Sequence, residues 1–152
     1  MKHFRNEMTL TFSAIPENEA FARNAVAAFC VCLDPTIDEI NDIKTAVSEA
    51  VTNAVVHAYS DCKGEIKINT VIEDGRVHIA VMDTGVGIVD IDKAMQPFFT
   101  TKPDDERSGM GFTVMESFTD SLNVAHNTPS GTIVSMEKAI RGACWKEKKS
   151  SN

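Results

Sequence analysis

Several features that define other protein classes are scarce or missing in this chain of 152 residues. No apolar run approaches a membrane span: the longest, residues 25–33, is about half of the roughly 20 residues that a bilayer-crossing helix needs. The opening Met1-Lys2-His3-Phe4-Arg5-Asn6-Glu7 is polar and lacks the apolar stretch of a secretory leader. Cysteine occurs 4 times without a CxxC knuckle: Cys30 and Cys32 sit in one apolar run, while Cys62 and Cys144 stand alone. That spacing excludes a zinc knuckle or a disulfide scaffold and predicts reduced thiols used as small core or surface residues. His3, His78 and His126 form no metal-ligand grouping in the sequence. Positive charge is also short, with 15 Lys+Arg against 22 Asp+Glu and a net charge of −7. Such a balance argues against gripping a nucleic-acid backbone and suits a basic protein partner. What remains is 43% hydrophobic and 24% charged, the composition of one folded domain with a single core. The expected organisation is one domain over residues 1–140, a polar Lys-rich tail over 141–152, and a cytoplasmic location.

Residues 8–14 alternate apolar and polar, the period of a strand with one covered face. Pro16 is placed to open a helix whose apolar positions are Phe21, Ala25, Ala28, Phe29 and Cys32, and Asp34-Pro35 breaks it. Thr36 followed by Glu39 is a capping box. It starts a second helix, with the stripe Ile40, Ile43, Val47, Ala50, Val51, Ala54 and Val55, running to about Tyr59. Two β-rich segments, 65–72 and 76–82, flank Glu73-Asp74-Gly75, a hairpin signal. A short helix near 90–95, a polar Gly-rich loop to Gly111, a helix over 112–118 and strands near 121–125 and 132–137 complete the reading. The expected class is α/β in the sense of an α+β two-layer sandwich, a mixed sheet with helices mainly on one face.

Three short motifs carry chemistry. On the second helix Glu49, Asn53 and His57 follow at intervals of four, so they share a stripe, and their neighbours are small or apolar. A solvated face would carry more Lys and Glu; a carboxylate and an amide in such a wall are placed for a ligand. Asp83-Thr84-Gly85-Val86-Gly87 leaves a strand, where an aspartate can accept from an exocyclic amine and glycines let backbone approach a flat ligand. Ser108-Gly109-Met110-Gly111-Phe112 opens the third helix with free N–H groups, a cradle for phosphate, and Lys102 and Arg107 lie just upstream. Each motif alone also describes an ordinary turn or helix start.

Their order is more specific than any one of them. E-x-x-x-N on a helix, D-x-G-x-G after a strand, then a lid and G-x-G before a helix resembles the Bergerat ATP site of the GHKL superfamily. Phe21-Ala22-Arg23, Leu33-Asp34-Pro35-Thr36, the run 48–59, Gln96-Pro97, Phe99-Thr100-Thr101-Lys102-Pro103 and residues 106–112 are similar to the anti-sigma F factors of spore-forming bacteria. The likeness covers about residues 6–138.

That resemblance implies an anti-sigma factor that is also an ATP-dependent protein-serine kinase. Glu49 would be the general base and Asn53 a Mg²⁺ ligand. Asp83 would hold the adenine amine, with Gly85 and Gly87 beside the base and Thr132 near it. Ser108, Gly109, Met110 and Gly111 would offer the phosphate cradle, and Arg107, with Lys102, would meet the γ-phosphate. Thr100 and Thr101 would belong to a lid that closes over ATP. His57 reads as structural rather than as a phosphorylated histidine, and Arg23 as a partner contact. The implied partners are a sporulation sigma factor, an anti-anti-sigma protein as phosphorylation substrate, and a second copy of the chain in a homodimer. Direct binding to nucleic acid or membrane is not expected. Related readings are a stress-response anti-sigma kinase, a non-catalytic ATP-binding module, and a detached histidine-kinase catalytic domain.

Overall fold

The capping box forms as read: Glu39 N donates to Thr36 Oγ1 (3.2 Å) and Thr36 N to Glu39 Oε2 (2.9 Å). The computed structural model that shows this describes residues 4–59, 63–96 and 111–142. Its elements are β1 (Arg5–Ser13), α1 (Asn18–Cys30), a 3₁₀ turn (Val31–Leu33), α2 (Ile37–Asn53) and a π-helical turn (Ala54–Ala58). There follow β2 (Glu65–Glu73), β3 (Arg76–Asp83), α3 (Ile91–Ala94), α4 (Gly111–Phe118), β4 (Ser121–His126) and β5 (Thr132–Ala139). The β2–β3 hairpin turns through Asp74 (φ 50°) and Gly75 (φ 80°), the left-handed pair that Asp-Gly supplies.

The strands form one sheet in the order β1-β2-β3-β5-β4. The layered α+β class is as expected, but the sheet is not mixed: every pairing among the described residues is antiparallel. The connections explain the difference. A single helix between neighbouring strands returns the chain parallel. Here β1 reaches β2 through the α1–α2 pair, and β3 reaches β5 through α4 and β4, so each path contains one further reversal.

Alternate residues of β2 (Ile66, Ile68, Ile72), β3 (Val77, Ile79, Val81) and β5 (Val134, Met136) face Ile43, Val47 and Val51 of α2 in one core. α1 corrects the sequence reading. Its buried residues are Ala22, Val26, Ala27 and Cys30, while Phe21 is 53% exposed and Ala28 and Cys32 face solvent. The helix is apolar on most of its circumference, so its neighbours choose the buried face, and the one rich in alanine lets α1 lie against α2. Phe21 instead meets Phe12 edge-on, with ring centroids 6.4 Å apart. Both described cysteines are free, and burial, with a smaller effect of nearby Cys32, pushes the Cys30 thiol up to about 12.

Glu39 has a second task. Besides capping α2, its carboxylate accepts from Arg141 N (2.8 Å) and Gly142 N (3.2 Å), while Lys138 pairs with Asp42 at 3.2 Å. Burial raises the Glu39 carboxyl, but the backbone bonds from Thr36, Arg141 and Gly142 outweigh it and hold the group below the usual carboxylate range.

One core group is discordant. Thr70, between Ile68 and Ile72 on β2, is fully buried, and its Oγ1 has no hydrogen-bond partner among the described residues. Thr70→Val keeps the shape and removes the orphaned hydroxyl, so it is expected to stabilise the fold by about 1 kcal/mol. A higher urea midpoint at unchanged slope is the expected reading; a lower midpoint would show that the hydroxyl is satisfied in solution.

Candidate functional site

α2 is buried along Ile43, Ala46, Val47, Ala50 and Val51, while Glu49, Asn53 and His57 are half-buried beside that stripe. The expected polar strip in an apolar wall is therefore present through Asn53. Beyond it the backbone widens into the π turn, which the sequence reading had as continued α-helix. An i→i+5 turn rotates His57 away from the position that α spacing gives it. Such turns recur at functional sites, and this one starts directly after Asn53.

Gly111, the first residue of α4, stands against Asn53. A Cβ there would lie 2.9 Å from Asn53 Nδ2 and 3.0 Å from Oδ1, so a larger residue would push the amide out of its present place. The α4 N-terminus and the Glu49–Asn53 helix are thus brought together, as the motif order implies. Thr100, Thr101, Lys102, Arg107, Ser108, Gly109 and Met110 lie outside the described residues.

Asp83 ends β3 with only 7% exposure. Its Oδ1 accepts from Gly85 N (3.1 Å) and Thr132 N (3.2 Å), while no bond from a described residue falls on Oδ2. Burial raises the Asp83 pKa, and the bonds from Gly85 and Thr132 oppose that rise. Three glycines make the close approach possible. A Cβ on Gly131 would be 2.1 Å from Asp83 O, and one on Gly85 would be 2.2 Å from Ala58 O. Gly87, at φ +75°, faces Gly131. Val86 N also donates to Ala58 O at 3.1 Å, so the Asp83–Gly87 turn lies on the end of the same helical segment that carries Asn53. Thr132, 6% exposed, meets Asp83 through its backbone N–H.

Two residues of this region carried no signal in the sequence. Tyr59 donates its hydroxyl to Glu65 O and accepts from Thr84 N, and Asn127 Nδ2 donates to Asp83 O. They stand 25 and 44 residues from their partners on the turn, outside any local motif. Arg23, expected as a partner contact, is bound by the Glu19 carboxylate at 2.7 Å, and Glu19 also accepts from the Ser48 hydroxyl.

Residues 12–138 match the family described as Histidine kinase-like ATPase domain. The anti-sigma F factor of Geobacillus thermodenitrificans is 60% identical over 137 residues, covering 90% of this chain and 94% of that protein. This chain belongs to the anti-sigma F factor family.

Among solved structures, the RsbU and RsbW domains of a Mycobacterium tuberculosis protein superpose with a TM-score of 0.65 at 21% identity, covering 89% of this chain and 32% of that one. The catalytic domain of histidine kinase ThkA gives a TM-score of 0.55 at 17% identity, covering 88% and 97%. At such identities the likeness is one of fold, the GHKL-type layered ATPase fold. The Gly111 helix start and the Asp83 turn both adjoin the helical segment that carries Glu49 and Asn53. No described helix is long and apolar enough to cross a membrane.

Proposed function

We propose that this anti-sigma F family member is a cytoplasmic protein-serine kinase that also sequesters a sporulation sigma factor. One observation carries the reading: the Gly111 helix start abuts Asn53 while the Asp83 turn rests on Ala58, five residues further along. Base-binding and phosphate-binding parts therefore border one helical segment, and Glu49 lies one turn before Asn53.

The Oδ2 of Asp83, which no described residue bonds, suits the adenine 6-amine, since the other oxygen is already occupied by two N–H donors. Gly85, Gly87 and Thr132 would flank the base. Backbone amides of Ser108, Gly109, Met110 and Gly111 would receive the phosphates, with Arg107 and Lys102 at the γ-phosphate and Thr100 and Thr101 in the covering lid. No group of three or more His, Cys, Asp or Glu among the described residues could hold a metal. A single amide, Asn53, fits a Mg²⁺ whose other ligands are phosphate oxygens and water, and a bound Mg²⁺ would neutralise phosphate charge. Glu49 accepts the proton of the incoming serine hydroxyl as its oxygen bonds to the γ-phosphorus and the bond to the ADP oxygen breaks. The substrate would be a serine of an anti-anti-sigma protein. The net charge of −7 suits a sigma factor that uses basic surfaces for DNA, and the assembly would be a homodimer.

Incubation with labelled ATP, Mg²⁺ and a co-encoded anti-anti-sigma candidate tests this reading. The expected product is an acid-stable phosphate on a partner serine. An acid-labile product would assign transfer to histidine, and an unlabelled partner would overturn the kinase reading. Co-purification with sigma in ATP against ADP then tests sequestration and its dependence on the γ-phosphate.

A further inference from the structure

The strand ladder that should orient Asp83 ends at Asp83 itself. On one side the last β2–β3 pair is Ile66 with Asp83, and on the other the last β3–β5 pair is Met82 with Ile133. Residues 84–86 therefore lie beyond sheet pairing, yet the carboxylate they flank must hold one direction to select a base. Gly85 N and Thr132 N hold the carboxylate through Oδ1 alone, and those bonds keep one direction only if something fixes the Asp83–Thr84 peptide as well.

Bonds from two other elements do so. From the helical side, Tyr59 is the first residue after the π turn. Its hydroxyl accepts from Thr84 N (2.8 Å), donates to Glu65 O (2.8 Å) and lies 3.2 Å from Thr84 Oγ1. Its ring rests where Gly64 has no side chain, since a Cβ there would be 2.3 Å from the ring. From the β4–β5 side, Asn127 Nδ2 donates to Asp83 O (2.8 Å), and Ser130 Oγ donates to Thr84 O (3.1 Å). Asn127 is itself fixed, because its N–H donates to Gly131 O (3.0 Å) and its Oδ1 accepts from Thr128 N (2.9 Å). The carbonyls of Asp83 and Thr84 are thus held from one side and the Thr84 N–H from the other.

We infer that Tyr59 and Asn127 are positioning residues that clamp the Asp83 peptide and so set the selection of a 6-amino purine over a 6-oxo purine. This rests on the adenine reading of Asp83 and adds the side chains that give that reading its selectivity. Neither touches the base by this argument; both act through the direction of the Asp83 carboxylate. The phosphate-binding half, on Asn53 and Gly111, is untouched by the clamp. The effect therefore falls on nucleotide binding rather than on the transfer step.

The test compares binding of ATP and ITP, with Mg²⁺, to the unaltered protein, to Tyr59→Phe and to Asn127→Asp. Tyr59→Phe keeps the ring over Gly64 and removes only the hydroxyl. Asn127→Asp keeps the shape and replaces the donor with an acceptor facing Asp83 O. Tyr59→Phe is expected to weaken ATP about three- to ten-fold, the worth of one neutral hydrogen bond, Asn127→Asp by at least as much because two acceptors then face each other, and each to change ITP by less than ATP. The ATP-over-ITP ratio falls accordingly, while the turnover rate at saturating ATP stays within about two-fold. Weakening of both nucleotides in parallel, or an unchanged ratio in both variants, overturns the clamp. An unaltered protein that takes ATP and ITP equally overturns the adenine reading of Asp83, and that outcome is separable because it appears before any substitution. Should one variant fail to fold, the other reaches the same peptide from the opposite side and decides the matter.

Discussion

Asp83→Asn is expected to abolish measurable ATP binding, at least about a hundred-fold, while leaving the melting temperature at neutral pH unchanged or higher. The two effects have separate causes. An asparagine oxygen can still accept from Gly85 N and Thr132 N, so the turn keeps its form. Its NH₂ would then stand where the second carboxylate oxygen stood, and a donor would face the donor of adenine. Stability moves the other way because burial raises the Asp83 pKa in the folded chain. A carboxyl with a raised folded pKa binds more protons folded than unfolded in the window between its two values. Its contribution to stability is therefore lost as pH rises through that window, and the deficit persists above it. Asparagine has no such deficit. The stability difference between the two proteins should open as pH climbs from the ordinary carboxylate range and level off above the folded pKa. Melting curves across that range, with isothermal titration of ATP, check both halves. Unimpaired ATP binding by Asp83→Asn would remove Asp83 from base recognition.

Glu49→Gln should separate binding from chemistry in a different manner. The amide matches the carboxylate in size, and Glu49 is only half-buried one turn before Asn53, so helix and nucleotide cradle are expected to persist. What is lost is the group that receives the serine proton. Transfer is expected to slow by about 10²- to 10⁴-fold, with ATP affinity within a few-fold. Single-turnover labelling of the partner serine at saturating ATP measures the rate directly. Full-rate transfer would show that another group takes the proton.

Local chemistry made some parts of this molecule readable and left others dark. The Thr36–Glu39 box, the Asp74-Gly75 turn and the buried stripe of α2 each depend on residues within a few positions of one another, and each formed as expected. The order of three weak motifs along the chain pointed to a GHKL domain, and the fold and relatives bear that out. The buried face of α1 was misread because a helix apolar on most sides leaves the choice to its neighbours, and α2 made it. The π turn after Asn53 has no signature in residues 54–58, which are ordinary for an α-helix. Periodicity likewise gave no strand direction, which the α1–α2 pair decides. The roles of Tyr59 and Asn127 could not be read for the plainest reason: the bonds by which they hold the Asp83–Thr84 peptide end on backbone atoms, and a backbone atom leaves no letter in the sequence.

The carboxylate of Glu39 joins the beginning of α2 to the chain's exit from β5. An affinity tag or fluorescent protein spliced on at Ala139 would strip Arg141 and Gly142 from that carboxylate, loosening the far end of the helix that bears Glu49 and Asn53. Appended after Gly142, the same cargo would leave the helix start intact. The cut point chosen at the bench can thus change the behaviour of a site it never touches.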